Sequence, residues 1–205
     1  MVPIKPIVFV VDDDVSVREA LEALIGCEGW QVETYSSAEE FLSRPRFHGP
    51  SCLVLDLSLP DLNGLDLQER VAADRADMPI IFITGYGDIP TSVRAMKAGA
   101  VEFLTKPFSG DELLGAIRHA IDRSGTALDH EAEMNSLRDR YTSLSRREQQ
   151  VMGLVVTGLM NKQVGGQLGI SEITVKAHRG QVMQKMKAGS LADLVKMAAR
   201  LGISN

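Results

Sequence analysis

Residues 7–12 (IVFVVD), 52–57 (CLVLDL) and 79–84 (PIIFIT) are short β-branched runs with no polar alternation. Such runs suit strands covered on both faces, as in a parallel sheet. Helical patterns lie between them. After Asp14, Val17, Ala20, Leu21, Leu24 and Ile25 recur at helical spacing and stop near Gly29, with Ser16 and Glu19 at the spacing of a capping box. Residues 31–36 read as a weaker second strand, and Ser37 with Glu40 opens a second helix through Leu42. Residues 64–75 predict a third helix. Residues 90–98 predict a fourth, with Pro in its first turn and Gly99 at its end, and 110–123 a fifth, preceded by a strand over 101–105. Five successive βα units predict a doubly wound α/β fold, a five-stranded parallel sheet with its site outside the carboxyl ends of the strands.

From Ser145 the pattern changes to short helices alone. Ser145 and Glu148 form a capping box ahead of a helix to Gly158, Asn161 opens a second to Gly169, Ser171 a third to about Lys187, and Ser190 with Asp193 a fourth to Gly202. These predict a small all-α four-helix bundle. Between the two textures, Ser124-Gly125-Thr126 reads as a break and 127–142 as a polar linker helix, in which Met134, Leu137, Tyr141 and Leu144 form a narrow apolar seam. About two heptads are too few to argue a coiled coil, so packing on the chain's own domains and a dimer zipper both stay open. The division is a domain over 1–123, a linker over 124–143 and a domain over 144–205.

Charge sharpens that division. The whole chain of 205 residues carries a net charge of -5, but residues 1–122 hold 10 Lys and Arg against 20 Asp and Glu, whereas residues 144–205 hold 9 against 3. An acidic half and a basic half point to nucleic acid as the partner of the second. No apolar run reaches the roughly 18 residues of a membrane helix, and the first residues lack the basic start and apolar stretch of a secretory leader. The expectation is a cytoplasmic protein with no membrane contact. Cys27 and Cys52 have neither metal nor disulfide spacing and read as core thiols.

The polar residues that end the strand runs carry the candidate chemistry. Asp12 and Asp13 follow the first, Asp56 lies in the third, Thr84 ends the fourth and Lys106 follows the fifth. A parallel sheet gathers them on one edge. Carboxylates so close repel one another unless a cation neutralises them, and a hard ion such as Mg²⁺, with Mn²⁺ as a substitute, takes few carboxylates and keeps positions open for a phosphate oxygen. A carboxylate beside such an ion can act as nucleophile toward a phosphoryl group, with Lys and Thr binding its oxygens. Asp14 reads as a helix cap or a solvated neighbour.

VVDDD with Asp12 to Asp14, LVLDLSLPDLNG (53–64), FITGYGDIP (82–90) and AMKAGAVEFLTKPF (95–108) together resemble the receiver domain of two-component response regulators of the NarL/FixJ type, which has a flavodoxin-like fold. The resemblance spans nearly all of residues 4–122. It implies that Asp56 is the phosphoacceptor, that Asp13, Asp56 and the backbone carbonyl of Ser58 hold the metal with Asp12 acting through water, that Thr84 is the switch hydroxyl and that Lys106 binds phosphate. It also implies a cis Lys106–Pro107 peptide. Many receivers carry Tyr where this chain has Phe103, which can turn as a switch residue but has no phenolic hydroxyl; a plain core Phe is the other reading.

Within the bundle, residues 161–168, a turn at Gly169-Ile170 and residues 171–187 form the helix, turn and helix that lay a second helix in the major groove of DNA. Lys176, Arg179, Lys185 and Lys187 lie on that second helix, and Ile173, Val182 and Met186 can turn toward the core. Residues 144–186 resemble the LuxR-type helix-turn-helix module. This implies that Lys176, Ala177 and the turn at Gly180-Gln181 face base edges, with Ser171, Thr174, His178 and Arg179 near phosphates. The sequence departs from the family at Gly165-Gly166, where alanines are usual, and at Gly180, which offers no side chain. Together the resemblances imply a transcriptional regulator that a sensor histidine kinase phosphorylates, that dimerises on promoter DNA when phosphorylated, and that meets RNA polymerase. It would catalyse only its own phosphorylation and dephosphorylation. A phosphotransfer enzyme using Asp56 on outside substrates needs a second acid two residues on, where this chain has Ser58, and an ATPase-driven activator needs a Walker loop that is not present. A DNA-binding protein with a vestigial receiver is disfavoured because every pocket residue is there.

Overall fold

The computed structural model describes residues 4–75, 77–85 and 89–203. The chain forms two compact units, Met1–Asp129 and His130–Asn205. In the first, β1 (Ile7–Val11), β2 (Gln31–Tyr35), β3 (Ser51–Asp56), β4 (Ile80–Thr84) and β5 (Glu102–Thr105) pair in parallel as one sheet in the order β2-β1-β3-β4-β5. Around it run α1 (Val15–Gly26), α2 (Ala38–Ser43), α3 (Gly64–Asp74), α4 (Ile89–Lys97) and the start of α5 (Gly110–Thr142).

Side-chain alternation along the strands divides the core in two. Phe9, Val11, Leu53, Leu55 and Phe82 pack with Phe41 of α2, Leu67 and Val71 of α3 and Ala95 of α4. Val8, Val10, Val54, Ile81 and Ile83 face the other way, onto Leu21 and Ile25 of α1 and Leu113 and Ile117 of α5. Both faces being dry, the strands have no use for polar alternation, which is why their sequences read as continuous apolar runs. The doubly wound parallel fold expected from the sequence is the one observed.

Three local expectations are corrected. Helix α1 is not opened by a Ser16–Glu19 capping box; the Asp14 side chain caps it, accepting the Ser16 backbone N–H at 2.8 Å. Cys27 is exposed at the C-terminal end of α1, and only Cys52 is a core thiol. The break expected at Ser124-Gly125-Thr126 does not occur, because α5 runs unbroken from Gly110 to Thr142. Ser124 is buried, and its hydroxyl accepts the backbone N–H of Ser51 at 3.1 Å, so a residue that favours loops is held in the helix by a partner 73 positions away.

In the second unit, α6 (Arg146–Val155), α7 (Asn161–Leu168), α8 (Glu172–Met186) and α9 (Leu191–Arg200) follow the end of α5. Ser145, Ser171 and Ser190 cap α6, α8 and α9 as expected, and Ser145 with Glu148 closes a full capping box. Asn161 is the first helical residue of α7 rather than its cap; there the Gln163 side chain accepts the Met160 backbone N–H at 2.8 Å. The linker seam packs inside this unit. Leu137 and Leu144 are buried, and Met134 and Tyr141 are half-buried against the cluster that holds Val151, Met152, Val175, Val182 and Leu194. Among the described residues no helix is long and apolar enough to cross a membrane.

Candidate functional site

The sheet register assembles the pocket. Val11 pairs with Leu55, so the residues that follow them, Asp12 and Asp56, leave adjacent strands side by side. Asp56 pairs with Ile83, one residue before Thr84, and Thr84 pairs with Thr105, one residue before Lys106. Four residues separated by up to 94 positions therefore meet at one edge. Lys106 Nζ donates to Asp12 Oδ2 at 2.8 Å and to Asp56 Oδ1 at 3.2 Å. The remaining carboxylate oxygens accept backbone N–H groups, from Asp14 to Asp12 at 2.9 Å and from Ser58 to Asp56 at 2.8 Å. Asp12 is 1% exposed and Asp56 6%, so both carboxylates sit where an unpaired charge is costly. Burial pulls the Lys106 ammonium toward neutrality, but the Asp12 hydrogen bond and the charges of Asp12 and Asp56 outweigh it and raise its pKa. Thr84 is buried, and its backbone carbonyl accepts the Lys106 N–H at 2.7 Å. The Lys106–Pro107 peptide is cis.

Not every expected residue joins. Asp13 is exposed, and no group of three His, Cys, Asp or Glu side chains among the described residues is gathered as an ion cage. Lys106 lies between the two buried carboxylates and offsets their charge, while Asp13 keeps its own in water. Ser58 is exposed and contributes its backbone N–H to Asp56. Phe103 is half-buried, its ring centroid 6.1 Å from that of Phe82. Of the FITGYGDIP motif, Tyr86, Gly87 and Asp88 lie outside the described residues.

Three supporting residues escaped the sequence. Arg18 Nη1 donates to the backbone carbonyl of Asp12 at 2.6 Å; its place one helical turn after Asp14 is the only signal. Asp61, in the loop after β3, takes the N–H groups of Ala38 and Glu39 at 3.3 and 2.9 Å and so helps to cap α2. Burial pushes its carboxyl up, but those backbone bonds outweigh it and hold the pKa low. Gly64, at the start of α3, donates to the Leu57 carbonyl at 3.0 Å, and a Cβ there would lie 2.8 Å from the Asp56 carbonyl oxygen. Only glycine lets α3 begin that close to Asp56.

In the helical unit, Gly169 adopts a left-handed conformation (φ 65°) between α7 and α8 and makes the tight turn. The Ser171 hydroxyl accepts the Thr174 N–H at 3.1 Å and lies 2.8 Å from the Thr174 hydroxyl. Val175, Val182 and Met186 bury one face of α8, while Ser171, Thr174, Lys176, Ala177 and Gln181 are exposed and His178 and Arg179 half-buried. Arg179 Nη1 donates to Asn161 Oδ1 at 3.2 Å, which ties α8 to the start of α7. Lys185 turns to Glu148 at 2.7 Å and is a structural ion pair rather than part of a free basic face. Ile173, expected to turn toward the core, is 82% exposed, and Val175 takes the core position instead.

Residues 8–118 match the response regulator receiver domain, and residues 142–198 match the bacterial regulatory proteins of the luxR family. The chain belongs to the response regulators with a LuxR-type output domain. The regulator is similar to nodulation protein W of Bradyrhizobium diazoefficiens, with 52% identity over 98% of this chain and 88% of that one. It is also similar to the transcriptional regulatory protein FixJ of the same organism, at 39% identity over 97% of both chains. Among solved structures it resembles the response regulator StyR, with a TM-score of 0.87 and 48% identity over 96% of this chain and 100% of that one. A receiver joined to a LuxR-type domain makes the regulator a transcription factor of a two-component system, which takes its signal from a histidine kinase and acts on DNA.

Proposed function

We propose that Asp56 accepts a phosphoryl group from the partner histidine kinase and that the phosphorylated regulator dimerises on promoter DNA. The observation that carries this reading is the single ammonium of Lys106 shared by two buried carboxylates at the carboxyl edge of a receiver sheet. An Asp56 carboxylate oxygen attacks phosphorus, the bond from phosphorus to the kinase's histidine nitrogen breaks, and the imidazole leaves with its electron pair. Lys106 Nζ, already within hydrogen-bond reach of Asp56, then holds a phosphoryl oxygen, and the Thr84 hydroxyl turns to another. Phe103 follows Thr84 inward along the face of Phe82.

The pocket suits a divalent ion. Two carboxylates sharing one ammonium keep a net negative charge, exposed Asp13 follows Asp12 directly in the chain, and all the donors are hard oxygens. Asp13, Asp56 and the Ser58 carbonyl, with Asp12 through water, would hold Mg²⁺ or Mn²⁺, which supplies the positive charge that lets one anion approach another.

The regulator turns over no outside substrate and catalyses only its own phosphorylation and dephosphorylation, since Ser58 stands where a general acid would be needed. An apolar recess of about 400 Å³ beside Lys106, lined by Val17, Leu21, Leu24 and Phe108, suits the helix of a kinase. Exposed Ile89, Val93 and Met96 on α4 suit a second copy in the homodimer. On DNA, Lys176, Ala177 and Gln181 face the bases, and Ser171, Thr174, His178 and Arg179 lie near phosphates. RNA polymerase is the further partner, and the cytoplasm is the compartment that holds kinase domain, DNA and polymerase together.

The test is to incubate the full chain with acetyl phosphate and Mg²⁺, follow intact mass, and run a gel shift in parallel. Wild type should gain one phosphoryl group and bind DNA more tightly; Asp56→Ala should do neither. Equal phosphoryl gain by the variant would end the assignment.

A further inference from the structure

Ile173 holds a position in the helical unit that its chemistry does not explain. It is 82% exposed, the highest exposure among the large hydrophobic residues of the described chain. Helix α8 turns about 100° per residue, which sets Ile173 roughly opposite the core face marked by Val175, Val182 and Met186. No small rotation of the helix can bury it. Its neighbours along the outer line, at four, seven and eleven positions on, are Ala177, Gly180 and Gln184, all exposed, with Lys176 at its flank. The outermost line of the helix assigned to the major groove thus opens with Ile173, Ala177 and Gly180, none of which carries a polar side chain, before Gln184, with Lys176 beside it.

Resting on the DNA-binding reading above, we infer that Ile173 is a specificity-determining residue that packs on the C5-methyl group of a thymine in the major groove. The unit's charge argues for DNA over an apolar protein partner: residues 144–205 hold 9 Lys and Arg against 3 Asp and Glu, and the stripe is flanked by Lys176 and the Ser171–Thr174 hydroxyl pair. In the major groove the thymine methyl is the one apolar feature that the base pairs present, and aliphatic side chains read it by contact. Gly180, two turns beyond Ile173 on the same line, has no side chain to hold the middle of α8 off the groove floor. Reading therefore falls on shape and methyl contact by Ile173 and Ala177, with Lys176 supplying the polar contact.

The test starts from duplexes enriched out of a random pool by the full-length, acetyl-phosphate-treated regulator. Deoxyuridine then replaces each thymidine of one half-site in turn, which removes only the methyl group. At one position or two, wild type should lose about fourfold in affinity, the value of one buried methyl. The Ile173→Ala variant should bind the thymine duplex more weakly by a similar factor and be indifferent to uracil at that position, while Ile173→Val keeps the discrimination. Thermal melts of both variants should match wild type, because the side chain is in water. If Ile173→Ala keeps the wild-type thymine-to-uracil ratio at every position, the inference fails while the DNA-binding reading stands. If wild type enriches no duplex at all, both fail together.

Discussion

The carboxylate pocket of the receiver and the second helix of the helix-turn-helix, α8, are built in opposite ways. The pocket draws Asp12, Asp56, Thr84 and Lys106 from four strand ends, and nothing local holds them together; parallel register does. The proposed recognition surface lies on α8, the fifteen residues Glu172–Met186, and on Ser171, which caps it. The pocket is therefore a property of a whole sheet and the reading head a property of one helix. In the first, changing one member leaves a distant, buried partner uncompensated. In the second, changing one exposed residue alters the contacts outside and leaves the fold alone.

The largest effect should come from Lys106→Met, which keeps the length of the side chain and removes its charge. Asp12, 1% exposed, then loses its ammonium at 2.8 Å. Removing one partner of a buried pair costs several kcal/mol, and the 28% exposure of Lys106 moderates this to about 2–3 kcal/mol. Hydrogen exchange should report the loss across Met1–Asp129 while amides of α6 to α9 stay as protected as before. Adding Mg²⁺ should raise the melting temperature of the variant more than that of wild type, since the ion then meets carboxylates that no ammonium offsets. Loss of protection spread evenly over both units would break the comparison.

That contrast also governs what could be read from sequence. The strands were legible because burial on both faces writes itself as an apolar run, and the pocket because its residues end those runs. The caps Ser145, Ser171 and Ser190 were legible because a cap and its partner lie within three residues. What escaped was held by long-range contacts. Ser124, within the unbroken α5, is paired with Ser51, and Asp61 caps a helix 22 to 23 residues upstream in the chain. On α8, Val182 and Met186 face the core as expected but Ile173 does not: Val175, seven and eleven residues before them, shares their face, whereas Ile173, nine and thirteen before them, lies on the opposite one. Asp13 is adjacent to Asp12 in sequence, yet one side chain is buried and the other in water, since consecutive residues leaving a strand point apart.

A middle-sized effect separates the two halves by pH. Glu148 in α6 accepts from Lys185 at 2.7 Å and from the Ser145 N–H at 2.7 Å. The Lys185 bond, above all, holds its carboxyl below the ordinary value. A depressed carboxylate pKa contributes stability that is present above the unfolded value of about 4.3 and disappears as pH falls through the folded one. The helical unit should therefore weaken on acidification below about pH 4.5, and Glu148→Gln should flatten that slope and cost about 1 kcal/mol at pH 7, the pair being partly solvated. Protection of α6 and α8 measured against pH reads both. A slope unchanged in the variant would move the titration elsewhere.

The smallest effect tests how far a single helix can be adjusted alone. Gly165 and Gly166 are neighbours in α7, and each is worth up to about 1 kcal/mol less than alanine by helix propensity. Space divides them. A Cβ on Gly166 meets nothing within 4 Å, whereas one on Gly165 would sit 2.7 Å from the backbone carbonyl oxygen of Ile170, in the turn that leads into α8. Gly166→Ala should therefore raise the melting temperature of the helical unit by most of the propensity difference. Gly165→Ala should gain less, because the turn must shift to admit the methyl group, and that shift should also change DNA affinity through the entry angle of α8. Equal gains from the two substitutions, with affinity untouched, would mean that the turn gives way freely and that the helix-turn-helix angle is set by the core alone.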